Sequence, residues 1–192
     1  MQTEQSGMVE KVRDAVVAAI EVTGDIVQAT VNTIAQTLAA TIDGTGEVGA
    51  SVTDAVADIA SGAIRGAAQI GGDLGHAAKG IMIGVLHGTK AKGAQVMDTI
   101  SHTAQVTIQD TAKVGGDLGA AATGLVEGAV ESAEELGISV EDAVTAAADG
   151  ALLAAGKVSS TAVKTVRRAV TKSSRVAKVV LKQAEVAVST DK

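Results

Sequence analysis

The sequence predicts an all-α protein made of long amphipathic helices, which pack as helical hairpins or as a rod into a bundle or a higher-order assembly. The 192 residues contain no proline, the strongest helix breaker. They contain no Phe, Trp or Tyr, so any core must be built from Ala, Val, Ile and Leu. Apolar residues also recur every 11 positions through most of the chain.

The 11-residue period is clearest in rows of aliphatic residues. Two such rows are Val9, Ile20, Val31 and Ile42, and Ile59, Ile70 and Ile81. Eleven residues at about 100° each make nearly three turns of an α-helix, so each row lies in one stripe along a helix. A repeat of about 3.67 residues per turn predicts packing that is straight or gently right-handed.

A second period of 44 residues lies over the first. Ile70-Gly-Gly-Asp-Leu-Gly75 recurs as Val114-Gly-Gly-Asp-Leu-Gly119, and three copies are visible at roughly 51–94, 95–138 and 139–182. Breaks between the copies predict a single domain with a flexible N-terminus and four helices: 1–7, then 8–43, 51–87, 95–134 and 139–188. Because the apolar phase continues beyond residue 51, a continuous rod is the alternative.

Glycine is dense in the second predicted helix, where each glycine costs about 1 kcal/mol relative to alanine. Small residues three or four apart allow two helix backbones to approach closely, and this contact offsets the cost. We therefore predict close helix packing in an oligomer or on a lipid surface; a relaxed repeat that tolerates glycine is the alternative. The predicted packing residues are Gly62, Gly66, Gly80, Gly84, Gly88, Ile59, Ile70, Leu74, Ile81, Val85, Val114, Leu118 and Leu125.

The C-terminal part of the chain carries the opposite charge to the rest. Residues 1–156 have 7 basic and 20 acidic side chains, net −13, and residues 157–192 have 9 basic and 2 acidic, net +7. Within 157–182, eight cations fall on an arc of about 140° on a helical wheel: Lys157, Lys164, Arg167, Arg168, Lys172, Arg175, Lys178 and Lys182.

A basic amphipathic helix is typical of an element that binds an anionic membrane surface. One alternative is that the cations neutralise acidic helices of the same or a neighbouring chain. The other is nucleic acid, bound through phosphates alone, because the sequence has no aromatic side chains to stack on bases. Nucleic acid is not the partner that we expect.

No motif points to catalysis, a cofactor or a metal. Gly44-x-Gly46-x-x-Gly49 has dinucleotide-binding spacing, but that motif follows a strand, and here helical spacing leads up to it. We interpret it as a turn. His76 and His87 share a helix face but lie about 16 Å apart along its axis, too far to bind one ion. The sequence therefore predicts no catalytic, cofactor-binding or metal residues, and a protein that is not an enzyme.

The 11-residue pattern of Val, Ala, Thr and Gly resembles that of hendecad-repeat proteins. This broad group includes hendecad coiled coils and the amphipathic repeats of perilipins, synucleins and desiccation-associated proteins. The resemblance covers roughly residues 8–184 and is one of period. The lysine-rich signatures of synuclein repeats are absent. It implies either self-assembly into long bundles or the coating of lipid surfaces.

Two functions follow from these observations. The first is a structural protein that assembles with itself into a homo-oligomer or filament through its small-residue stripes. The alternative is a peripheral protein that binds a lipid surface through its basic segment. The N-terminus lacks a signal-peptide pattern, and the longest uncharged run, residues 26–42, is too short and polar for a membrane span. We expect a cytoplasmic or membrane-peripheral protein.

Overall fold

The computed structural model describes residues 2–45, 50–89 and 94–173, and the regular secondary structure in these ranges is all α-helix. The helices are α1 (Gln2–Thr23), α2 (Ile26–Thr45), α3 (Ala50–Gln69), α4 (Leu74–Thr89), α5 (Ala94–Lys113), α6 (Leu118–Leu136) and α7 (Val140–Val158). An eighth helix, α8, spans residues 160–173 of the described chain. The all-α prediction is confirmed.

Each of the four predicted long helices is broken near its middle, so the predicted number of helices was wrong. The breaks lie at residues 24–25 in 8–43, at 70–73 in 51–87, at 114–117 in 95–134 and at 159 in 139–188. Residues 174–188 of the last predicted helix lie outside the described ranges. Of the predicted flexible N-terminus, 1–7, the residues from Gln2 onward belong to α1.

Glycine is the physical reason for three of these breaks. Gly24, Gly71 and Gly115 adopt φ angles of 70°, 67° and 72°, in the left-handed region. A residue with a Cβ atom is strained there, whereas glycine ends a helix in this conformation at little cost. The glycines that the sequence analysis placed inside long helices therefore include the ones that end them.

Each break also supplies the N-cap of the helix that follows. In every case a side-chain oxygen accepts a hydrogen bond from a backbone N–H three residues ahead: Asp25 from Gln28 (3.0 Å), Asp73 from His76 (2.9 Å), Asp117 from Ala120 (3.1 Å) and Ser159 from Ala162 (3.0 Å). These bonds satisfy backbone donors that have no partner within the helix. The repeated Gly-Gly-Asp is thus a helix–turn–helix signal.

Replacing Asp117 with alanine is expected to lower the free energy of unfolding by about 1 kcal/mol, since α6 loses its N-cap acceptor. Asp117→Asn keeps an acceptor oxygen at the same position and is the matched control. Urea unfolding followed by circular dichroism measures both. Equal stability of Asp117→Ala and the unchanged protein would contradict the capping role.

Helices two apart in the sequence lie side by side and run parallel. On α2 the carbonyl oxygens of Val27 and Val31 face Gly80 and Gly84 of α4, in the same order along both helices. The pairs α1–α3 and α4–α6 show the same order. Because α3 lies between α2 and α4 in the sequence, it must run back in the opposite direction. Consecutive helices therefore form hairpins, and the continuous rod is excluded for these helices.

Four two-helix units, α1–α2, α3–α4, α5–α6 and α7–α8, stack in chain order. Among α1–α7, each helix contacts only the helices one and two positions away in sequence. The odd-numbered helices thus form one layer and the even-numbered helices the other, with aliphatic side chains buried between them. This arrangement is that of helical repeat proteins, in which each unit covers the apolar faces of its neighbours. The 44-residue period is the length of one unit.

Candidate interaction surfaces

The glycines of the predicted packing set lie against other helices of the same chain. A Cβ atom at Gly62 would lie 2.6 Å from the carbonyl oxygen of Val9, and one at Gly84 would lie 2.9 Å from the Cβ of Ile34. Carbon atoms do not approach this closely in folded proteins, so the helices adopt this spacing only because the Cβ is absent. Such spacing brings Cα–H groups against backbone carbonyl oxygens of the neighbouring helix.

The same stripe continues in the later units, where the sequence analysis missed it. Gly124 lies against the carbonyl of Gly75, Gly128 faces the Lys79 carbonyl oxygen, and Gly150 of α7 lies against backbone atoms of α5. Gly124 and Gly128 stand 44 positions after Gly80 and Gly84, so the longer period was a signal that could have found them. Every glycine in this stripe has its partner helix within the chain.

The aliphatic members of the packing set divide according to their place in a unit. Those in the middle of helices are fully buried: Ile59, Ile81, Val85 and Leu125. Those beside the Gly-Gly-Asp turns are only partly buried or are exposed: Ile70, Leu74, Leu118 and Val114. The burial of these side chains therefore increases with their distance from the turns. The 11-residue period alone does not predict where the turns lie.

The N-terminal unit lacks the glycine row on its outer face. The N-caps Asp25 and Asp73 mark equivalent points, so Gly80, Gly84 and Gly88 of α4 correspond to residues 32, 36 and 40 of α2. These positions hold exposed side chains, Asn32, Gln36 and Ala40. At these three positions α2 therefore lacks the glycines at which α4 approaches α2.

The basic segment is divided by the break at Ser159, so the prediction of one continuous basic helix was wrong. Ser159 is extended (φ −171°, ψ 165°) and caps both α7 and α8. Lys157 lies in the last turn of α7, where a cation interacts favourably with the helix dipole. Four cations lie on α8: Lys164, Arg167, Arg168 and Lys172. Arg175, Lys178 and Lys182 lie outside the described residues.

The four cations of α8, which we call the α8 basic face, are all exposed to solvent. None of the ion pairs within residues 2–45, 50–89 and 94–173 involves them. The opposite side of α8 is buried in the core through Ala162, Val166 and Val170. The apolar side of this amphipathic helix is thus already covered by the protein.

Acidic side chains of α6, the helix that contacts α8, pair with side chains of α4. On α6, Glu131 pairs with Lys79 and Glu135 with His87 of α4, each at 2.7 Å. In the described part of the chain, no ion pair joins α8 to an acidic helix. The alternative that the α8 cations neutralise acidic helices of the same chain therefore has no support from an ion pair. The α8 basic face is free to attract anions from outside.

Other polar groups of the chain have structural roles. Asp110 is almost fully buried and accepts hydrogen bonds from Ser61 of α3 and from Lys113 (2.6 Å), so it links two helices of one layer. In the described ranges no cluster of three or more His, Asp and Glu side chains could hold a metal ion. Within those same ranges, no helix combines the length and apolar character needed to cross a membrane.

Comparison with known proteins adds no relative: no protein-family model matches the chain, and no curated protein matches it.

One carboxyl group makes stability depend on pH. Burial raises the pKa of Asp58 above its ordinary value, and the Asp54 carboxylate one turn earlier raises it further. The folded state then holds this proton more tightly than the unfolded state does. The stability that protonated Asp58 contributes is lost as the pH rises through the range just above the ordinary carboxyl pKa.

Asp58→Asn is therefore expected to stabilise the protein at neutral pH and to remove this part of the pH dependence. Urea unfolding at a series of pH values measures both effects. Asp54→Asn, which removes the neighbouring charge, should shift stability in the same direction. A fall in stability at neutral pH for Asp58→Asn would contradict this account.

Proposed function

We propose that this protein is a helical-repeat protein that attaches peripherally to an anionic lipid surface through the α8 basic face. The observation that carries the proposal is four exposed cations on one helix, with no acidic partner among the described residues. The rest of the chain is strongly acidic, so positive charge is concentrated at one end of the stack. Such separation orients a protein on a negatively charged surface.

The electrostatic attraction between the α8 basic face and an anionic bilayer amounts to several kcal/mol at physiological salt. A cation near the surface of an anionic bilayer contributes about 1 kcal/mol, so four give about 4 kcal/mol. Arg167 and Arg168 present planar groups of donors that match phosphate oxygens, whereas Lys164 and Lys172 act as point charges. Three further cations, Arg175, Lys178 and Lys182, follow in the sequence.

A lipid surface suits this charge distribution better than a nucleic acid does. In a fluid bilayer, anionic lipids can gather beneath α8 while neutral lipids lie beneath the acidic units. The phosphates of a nucleic acid are fixed in place, so part of that charge would face acidic side chains and repel them. The chain also has no aromatic side chain on which a base could stack.

The experiment is flotation of the purified chain with vesicles of phosphatidylcholine, alone or mixed with phosphatidylserine. The chain should float only with the mixed vesicles, and raising the salt from about 0.1 M to about 1 M should release it, because the Debye length falls from about 10 Å to about 3 Å. Equal flotation with neutral vesicles, or none with either, would contradict the proposal.

Self-assembly into an oligomer or filament is the second candidate function. The observation that favours it is exposed apolar surface on the last unit, where Leu153 is 55% and Val158 44% exposed. The glycine stripe gives it less support, since its glycines already pack within one chain. Light scattering at increasing protein concentration tests this candidate, and a monomer at every concentration would remove it.

A further inference from the structure

Resting on the proposed attachment, we infer that α8 binds the bilayer by charge alone: it stays packed on α6, and its apolar side does not enter the membrane. The partner is the headgroup layer of a fluid bilayer that contains anionic lipids. This differs from the usual interfacial helix, which lays its apolar face among the acyl chains. The difference follows from where the apolar side chains of α8 already lie.

Those side chains are part of the protein core. Val166 is fully buried, and Ala162 and Val170 are buried nearly as well, in the cluster that α8 shares with α6 and α7. Thr165 is exposed and lies beside Gly119 of α6. To insert into lipid, α8 would first have to leave these contacts.

If α8 left its contacts with α6 and α7 to enter the membrane, no additional apolar surface would be buried. A valine moved from a packed core into acyl chains exchanges one apolar surrounding for another, because lipid tails are as apolar as the core. The close packing of the core is lost in the exchange, and apolar surface on α6 and α7 is uncovered. Packing therefore holds α8 in place, and only its charged side is available to the membrane.

The charged side has a shape suited to headgroups. Lys164, Arg168 and Lys172 stand four residues apart, so they form a strip about 12 Å long on one side of the helix. Arg167 lies one turn after Lys164 and widens this strip. A row of cations held on a packed helix contacts several phosphates at once without any change of conformation.

A disulfide between α6 and α8 tests the inference directly, since the chain has no cysteine of its own. A Cβ atom at Gly119 would lie 3.3 Å from the Thr165 Cγ2, which brings residues 119 and 165 within reach of a disulfide. In the double variant Gly119→Cys, Thr165→Cys, oxidation locks α8 on α6 and reduction releases it. Neither substitution changes the charge of the basic face.

The locked and reduced forms are compared by flotation with vesicles of phosphatidylcholine and phosphatidylserine. We expect their partition coefficients to agree within about twofold, because charge-only binding does not require α8 to move. A loss of about tenfold or more on locking would overturn the inference in favour of insertion. Absence of flotation for the reduced form and for the unchanged chain would instead refute the proposed function itself.

A second variant keeps the inference testable if the disulfide does not form. Val170→Thr has nearly the same shape but is more polar, so an inserting helix would lose affinity for the vesicles several-fold. A helix that stays packed should keep its affinity. Binding of the unchanged chain to duplex DNA but not to these vesicles would overturn both the inference and the proposed function.

Discussion

Alanine at Gly124 or Gly150 is expected to destabilise the protein by about 2 kcal/mol, which is the net effect of two opposing contributions. The added methyl group improves helix propensity by about 1 kcal/mol. It also meets backbone atoms of the neighbouring helix, those of Gly75 at position 124 and those of Ser101 at position 150. Backbone cannot rotate away as a side chain can, so the helices must separate at a cost of about 3 kcal/mol.

The matched control lies on the same helix as Gly150. Gly156 of α7 is exposed, and a Cβ atom there would meet nothing within 4 Å. Gly156→Ala should therefore stabilise the protein by about 0.5 to 1 kcal/mol. Urea unfolding followed by circular dichroism measures all three variants. If Gly150→Ala and Gly156→Ala stabilised the protein alike, the close approach of α5 and α7 would be refuted.

Reversing two charges of the α8 basic face should nearly abolish vesicle binding. Each cation contributes about 1 kcal/mol near an anionic surface, so loss of two weakens binding roughly 30-fold. The glutamates of Arg168→Glu, Lys172→Glu add repulsion to this loss. Both side chains are exposed and unpaired in the described chain, so unfolding should be little affected.

The control for net charge is Lys11→Glu, Arg65→Glu. Both residues are exposed, on α1 and α3, and the substitutions change the net charge by the same amount. This variant should float with anionic vesicles almost as well as the unchanged chain does. Similar losses for the two double variants would indicate that net charge controls binding and that α8 has no special role.

The composition and periods of the sequence predicted the class of the fold and the length of its repeat. A chain without proline and with apolar residues every 11 positions must bury stripes on helices, and the 44-residue repeat is the length of one two-helix unit. The sequence did not predict the breaks within each unit, because the spacing of apolar residues is set by the repeat. This spacing is the same whether the chain continues as one helix or folds back as a hairpin.

The structural role of each glycine is the feature that the local sequence predicts least well. Gly66 lies within α3 and packs on α1, whereas Gly71, five residues later, ends the hairpin's first helix in a left-handed conformation. Glycine permits both, because it has no Cβ to strain the backbone or to separate two helices. Which role each glycine takes depends on the helix beside it, and that helix comes from a distant part of the chain.

The sequence by itself determined that α8 is basic on one side and apolar on the other, since the order of residues fixes both sides of a helix. Only the tertiary structure decided that the apolar side is covered, with Val166 fully buried in the core, and that the cations of α8 have no partner among the described residues. Burial and pairing are contacts between distant segments, and a pattern along one helix does not contain them.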